Sequence, residues 1–127
     1  MLHWTRWVAC MAAVVGLTAV TAVPARADTM TWQFRSYSRY TVEVKLFSQN
    51  RRVAWPTATT SWLLRDFAVH KLPISCVAGE QICFGAAVQG SGSLTWGQGL
   101  SGRQTCQNCC YTCNEGAITK IVDLNER

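Results

Sequence analysis

Six of the chain's seven cysteines fall within its last 52 residues, and four of them share one octapeptide, Cys106-Gln107-Asn108-Cys109-Cys110-Tyr111-Thr112-Cys113. So many thiols so close together either oxidise into cross-links or bind metal, and the compartment decides which. The first 27 residues read as a cleavable export signal. Arg6 precedes an apolar stretch over residues 7–23, which closes with Pro24-Ala25-Arg26-Ala27 before Asp28. Ala25 and Ala27 are small enough for a signal peptidase, and Pro24 ends any helix just upstream, so cleavage is expected between Ala27 and Asp28. As a membrane anchor the stretch is short of roughly 20 apolar residues, and Gly16, Thr18 and Thr21 dilute it. Cys10 lies too early in that stretch to be a lipid-modified cysteine at a cleavage site. The expected location is therefore periplasmic or secreted, with no transmembrane segment after processing and the thiols oxidised.

Residues 28–127 then form one exported β domain, since two halves of a 100-residue chain would each be too small for a core. Twelve Lys/Arg less Arg6 and Arg26 leave ten against seven Asp/Glu, a net charge of +3. The basic residues are scattered, with Arg51-Arg52 the only adjacent pair, which argues against a nucleic-acid partner.

The pattern favours strands. Met30, Trp32 and Phe34 alternate with Thr31 and Gln33, and Tyr40, Val42, Val44 and Leu46 alternate with Thr41, Glu43 and Lys45. Further short strands are expected over 61–64, 69–74, 81–88, 94–96 and 118–124, about seven in all. Of these, 81–88 is the cleanest core strand. Pro56 favours extended or turn geometry at Trp55, and Val77-Ala78-Gly79-Glu80 suits a hairpin turn. Trp96-Gly97-Gln98-Gly99 lacks a third glycine and a following helix, so it is no nucleotide loop. The expected fold is all-β: a small antiparallel β-sandwich, stapled by disulfides, with a cysteine-rich C-terminal turn or short helix.

Several segments together carry a resemblance: Ile74-Ser75-Cys76, then Gly79-Glu80-Gln81-Ile82-Cys83-Phe84-Gly85-Ala86, Trp96-Gly97-Gln98-Gly99 and the cysteine octapeptide, with Ser48-Gln49-Asn50-Arg51 and Trp55-Pro56. On these the chain resembles a group of small exported proteins of alphaproteobacteria. The resemblance spans nearly all of residues 28–127 and implies an exported, cysteine-stapled β domain. It brings no activity with it. Relatives in that group carry Trp near position 87 and Val near 98, where this chain has Ala87 and Gln98, which would thin an aromatic surface. A fainter likeness to thaumatin-like β-sandwiches concerns architecture alone.

The disulfide candidates are Cys76, Cys83, Cys106, Cys109, Cys110 and Cys113, and six cysteines allow 15 pairings. Cys109 is not expected to bond Cys110, because adjacent cysteines close a strained ring. A bridge from Cys76 or Cys83 to the octapeptide would close a loop of about 30 residues, worth roughly 3–4 kcal/mol in the chain-entropy model. The alternative is a zinc site on Cys106, Cys109, Cys110 and Cys113, although the two C-x-x-C pairs abut where metal knuckles need spacing. A thiol–disulfide oxidoreductase would need its C-x-x-C at a helix start in a βαβ unit, and none is visible. Neither His70 with Asp66 nor the carboxylates Glu80 and Asp66 make a supported catalytic set.

No catalytic residue and no cofactor is therefore expected. Tyr37, Tyr40, Arg51, Arg52, Trp55 and Trp96 are the candidates for a binding surface, with Trp55 and Trp96 on loops as stiff, amphipathic anchors. The expected function is a non-catalytic envelope or secreted protein, a monomeric binding or structural module for an envelope component, glycan or protein.

Overall fold

In a computed structural model, residues 13–19, 27–91 and 93–126 are described. Most of the export-signal reading, including Pro24, Ala25 and Arg26, lies outside them. No helix among the described residues is long and apolar enough to cross a membrane. The expected cleavage point, Ala27 before Asp28, falls on the first two residues of the first strand.

Among the described residues nine strands form two sheets. The first sheet has the order β5 (Val69–Val77), β1 (Ala27–Ser36), β9 (Ile118–Leu124). The second runs β3 (Ala54–Trp55), β2 (Val42–Ser48), β6 (Gln81–Val88), β7 (Thr95–Gly97). In it β4 (Trp62–Leu64) also pairs with β2, and β8 (Cys110–Thr112) with β6. The all-β sandwich is the expected fold, with two strands more than the alternation foretold. β3 and β8 are too short to show a period of two. The octapeptide is a turn running into β8, with no helix. One pair, β1 with β9, is parallel.

Alternation builds the core directly. Met30, Trp32 and Phe34 point inward from β1, Leu72, Ile74 and Cys76 from β5, and Val42, Val44 and Leu46 from β2. Where the sheets meet, the Phe34 and Phe84 rings lie 5.5 Å apart edge-to-face, and Trp32 meets Tyr111 edge-on at 5.1 Å. Such pairs add about 0.5–1.5 kcal/mol beyond the area they bury. The Trp32 indole N–H is the one buried side-chain polar atom without a hydrogen-bond partner among the described residues.

Strand β6 departs from alternation, since every residue after Gln81 is buried. Its inner side packs on the first sheet, and its outer side, Cys83, Gly85 and Ala87, lies under the segment 98–109. A side chain at Gly85 would fall on the Gly99 carbonyl, so only glycine lets this cover settle. Gly102, at φ +70°, sits against the Phe47 ring of the same outer face. Beside it Lys45, 7% exposed, donates to the Ala58 carbonyl at 2.8 Å. A third layer of irregular chain therefore covers the second sheet. Ala87 lies beneath that layer at 5% exposure, so position 87 belongs to buried packing rather than to a surface.

Candidate functional site: the two ends of the sandwich

The strand directions sort the loops into two ends. β1, β4, β6 and β9 all finish at one end and β2, β5 and β7 start there, which gathers residues 37–41, 65–68, 89–91, 93–94 and 125–126. The opposite end holds residues 49–53, the turn 78–80 and the connection 113–117.

This second end is the stapled one. Gly79, at φ +81°, turns β5 into β6, and the Glu80 N–H closes that turn on the Val77 carbonyl at 2.9 Å. The hairpin thereby brings Cys76 and Cys83 to the same end. Cys76, on the inner face of the first sheet, bonds Cys113, while Cys83 on the outer face of β6 bonds its cross-strand neighbour Cys110. The alternation of β8 explains this division: Cys110 points outward, Tyr111 inward against Trp32, and Cys113 inward to the other sheet. Cys106 bonds Cys109 across a turn that Asn108 makes at φ 56°, a left-handed conformation asparagine tolerates. Both bridges from the 76/83 hairpin to the octapeptide are thus formed, and Cys109 does not bond Cys110.

Glu80 is the electrostatic centre of this end. Its side chain is 1% exposed. It accepts two hydrogen bonds from the Arg51 guanidinium (Nε to Oε2, 2.5 Å; Nη2 to Oε1, 2.8 Å), one from Ser48 Oγ and one from the Val77 N–H at 3.1 Å. Arg51, more than offsetting the effect of burial, helps pull the carboxyl down to about 2, with Ser48 and Val77 adding to it. Asp66 lies at the other end, 2.7 Å from His70 Nε2, so the two carboxylates considered as a pair are far apart. Asp66 also accepts the Ala68 N–H, which makes it a turn residue. Its carboxyl is held below the ordinary range, chiefly by the hydrogen bond with His70. Among the described residues no hydroxyl nucleophile is bonded to His70.

The four-cysteine metal set is not assembled, because Cys113 is tied to Cys76. The sulfurs that do gather are those of Cys83, Cys109 and Cys110, all within 4.8 Å of one another. Each is half of a disulfide and carries no thiolate charge, so the donors do not fit zinc in this state.

The open end carries the exposed aromatics. Tyr37 (45% exposed) and Tyr40 (56%) sit on the loop after β1, with the guanidinium of Arg35 5.1 Å from the Tyr37 ring centre and that of Arg39 5.6 Å from the Tyr40 ring. Phe67, 61% exposed, tops the loop between β4 and β5. Tyr40, Val88, Leu94 and Glu126 line a groove of about 670 Å³ at this end.

The six surface candidates therefore do not form one surface. Tyr37 and Tyr40 are separated from Arg51 and Arg52 by the seven residues of β2, roughly 20 Å. Trp55 is corrected from a loop anchor to an edge-strand residue, and Trp96 lies on edge strand β7, close to the strand expected over 94–96, rather than on a loop. Trp55 pairs with Leu46, and Trp96 with Ala86, so both rings face inward, half-buried against the core. Their indole N–H groups cross to the first sheet's side, Trp55 to the Ser75 carbonyl (3.1 Å) and Trp96 to the Asn125 carbonyl (2.9 Å). Phe67 is the residue that sequence reasoning missed. An aromatic inside the polar turn Arg65-Asp66-Phe67 was the available signal.

No protein-family model, curated protein or solved structure matches the chain.

Proposed function

We propose that this is an exported, non-catalytic binding module that presents its open end to a polysaccharide of the cell envelope. The observation that carries the reading is the placing of Tyr37, Tyr40 and Phe67 in solvent on two loops at one end, beside a groove. Large rings exposed on loops at one end of a fold are a pattern that marks interaction sites. Arg35 and Arg39 limit the motion of the tyrosines, so less entropy is lost on binding. Flat aromatic faces stack on the apolar faces of sugar rings, and the arginines add donors for hydroxyl or carboxylate groups. The export-signal sequence and three disulfides support an oxidising compartment.

The test is a glycan array and calorimetric titration with purified envelope polysaccharides, comparing wild type with a Tyr37→Ala, Tyr40→Ala, Phe67→Ala variant. The expected result is binding that weakens by at least about tenfold in the variant at an unchanged melting temperature. Equal binding by both proteins, or no polysaccharide bound by the wild type, would sink the reading.

A further inference from the structure

Two of the three disulfides touch. Cys109 Sγ, bonded to Cys106, lies 3.5 Å from Cys110 Sγ, which belongs to the neighbouring bridge to Cys83. The Cys83 sulfur completes a group within 4.8 Å. Access to the group is graded: Cys106 and Cys110 are half-buried, whereas Cys109 is 2% and Cys83 1% exposed, and of the two reachable sulfurs it is Cys106 whose attack releases Cys109. The backbone is aligned as well, because the Phe84 N–H donates to the Cys109 carbonyl at 3.0 Å and so holds Cys109 alongside Cys83 and Phe84. The third bridge, from Cys76 to Cys113, crosses to the other sheet and takes no part.

We propose that Cys106, Cys109, Cys110 and Cys83 form a thiol–disulfide exchange site that accepts a low-molecular-weight thiol at Cys106. The incoming thiolate bonds Cys106 Sγ, the Cys106-to-Cys109 bond breaks, and its electron pair leaves on Cys109 as a thiolate. Cys109 then attacks Cys83 Sγ, forming a Cys83-to-Cys109 bridge and expelling Cys110 as a thiolate. Attack on Cys110 itself is the shorter path but closes a ring between adjacent residues, which is strained. Finally Cys110 attacks Cys106 in the mixed disulfide, forms a Cys106-to-Cys110 bridge and returns the external thiol. Two disulfides are present before and after, no electrons are gained or lost, and the thiol is a catalyst. The exchange moves the anchor of the 98–109 cover from Cys110, the first residue of β8, to Cys109 just before it.

Cys106→Ser isolates the central step, since it leaves Cys109 as a free thiol beside the Cys83-to-Cys110 bridge. The protein is held at pH 8, quenched in acid, alkylated in denaturant at low pH and mapped by peptide mass spectrometry. The expected map contains two species, one with Cys109 alkylated and one with Cys110 alkylated and Cys83 bonded to Cys109. A map in which Cys109 alone is ever alkylated overturns the proposal. The wild-type chain treated with a limiting amount of glutathione supplies a second reading that does not depend on the variant folding. There the adduct is expected on Cys106, together with the Cys83-to-Cys109 linked peptide. An adduct on another cysteine, or an unchanged disulfide map, overturns it equally.

Discussion

At one end of the sandwich, disulfides and a buried carboxylate clamp strands of both sheets together; at the other, loops lift Tyr37, Tyr40 and Phe67 into solvent with no covalent tie among the described residues. The difference shows how a small domain can gather the interactions that hold its fold at one end while leaving large rings exposed at the other. A core of this size leaves a net stability on the order of 5–15 kcal/mol, so one bridge is a large fraction of the whole. Concentrating the fixed interactions at one end leaves the other free to vary its loops.

Substituting Cys113 with serine should test the comparison most severely. The bridge to Cys76 closes 37 residues and joins the two sheets. Its loss should remove about 4 kcal/mol, lowering the melting temperature by roughly 15–25 °C. A melting temperature unmoved by this substitution would mean that the stapled end is not what holds the sandwich. Glu80 gives the next largest effect through pH. Its folded-state value, about 2, lies below the ordinary carboxylate value of 4.5. Its contribution is therefore fully present above about pH 4.5 and is lost as the pH falls toward 2, roughly 2–3 kcal/mol allowing for the partly exposed Arg51. Denaturant melts of wild type and Glu80→Gln across pH 2–6 should converge at the acid limit; parallel curves would remove Glu80 from the account.

Trp55→Ala should be smaller, about 2 kcal/mol, because the ring is only half-buried and one hydrogen bond to Ser75 is lost with it. A denaturation midpoint equal to wild type would return Trp55 to the surface. Smallest of all, Tyr40→Ala at the open end should change stability by no more than about 0.5 kcal/mol. A larger loss would show that the open end too is part of the structural framework.

Much of the sandwich was legible because inward and outward residues alternate, as Met30, Trp32 and Phe34 do in β1. The turn at Gly79 was equally readable, since its chemistry is local. Trp55 was misplaced because its proline neighbour signals a loop, while its pairing with Leu46, nine residues back, makes a strand of two residues, too short to show alternation; Trp96 falls close to the strand expected over 94–96, and only its glycine neighbour suggested a loop. The divided loyalties of the octapeptide could not be read for a related reason. Which cysteine faces which sheet follows from the register of β8 on β6, and three residues carry no register signal of their own. The Arg51 to Glu80 contact spans 29 positions and had no local trace.

The parallel pairing of β1 with β9 bears on how the molecule would carry mechanical load. Thr31 aligns with Ile118 and Ser36 with Leu124, so chain entering β1 and chain leaving β9 emerge at opposite ends of the pair. Tension between them slides the two strands along each other and stresses their ladder bonds together, rather than unzipping them one at a time. β1 is also the central strand, bonded to β5 on its other side, so it cannot be drawn out without shearing a second ladder. Force applied along the chain thus meets the sandwich in its most resistant direction.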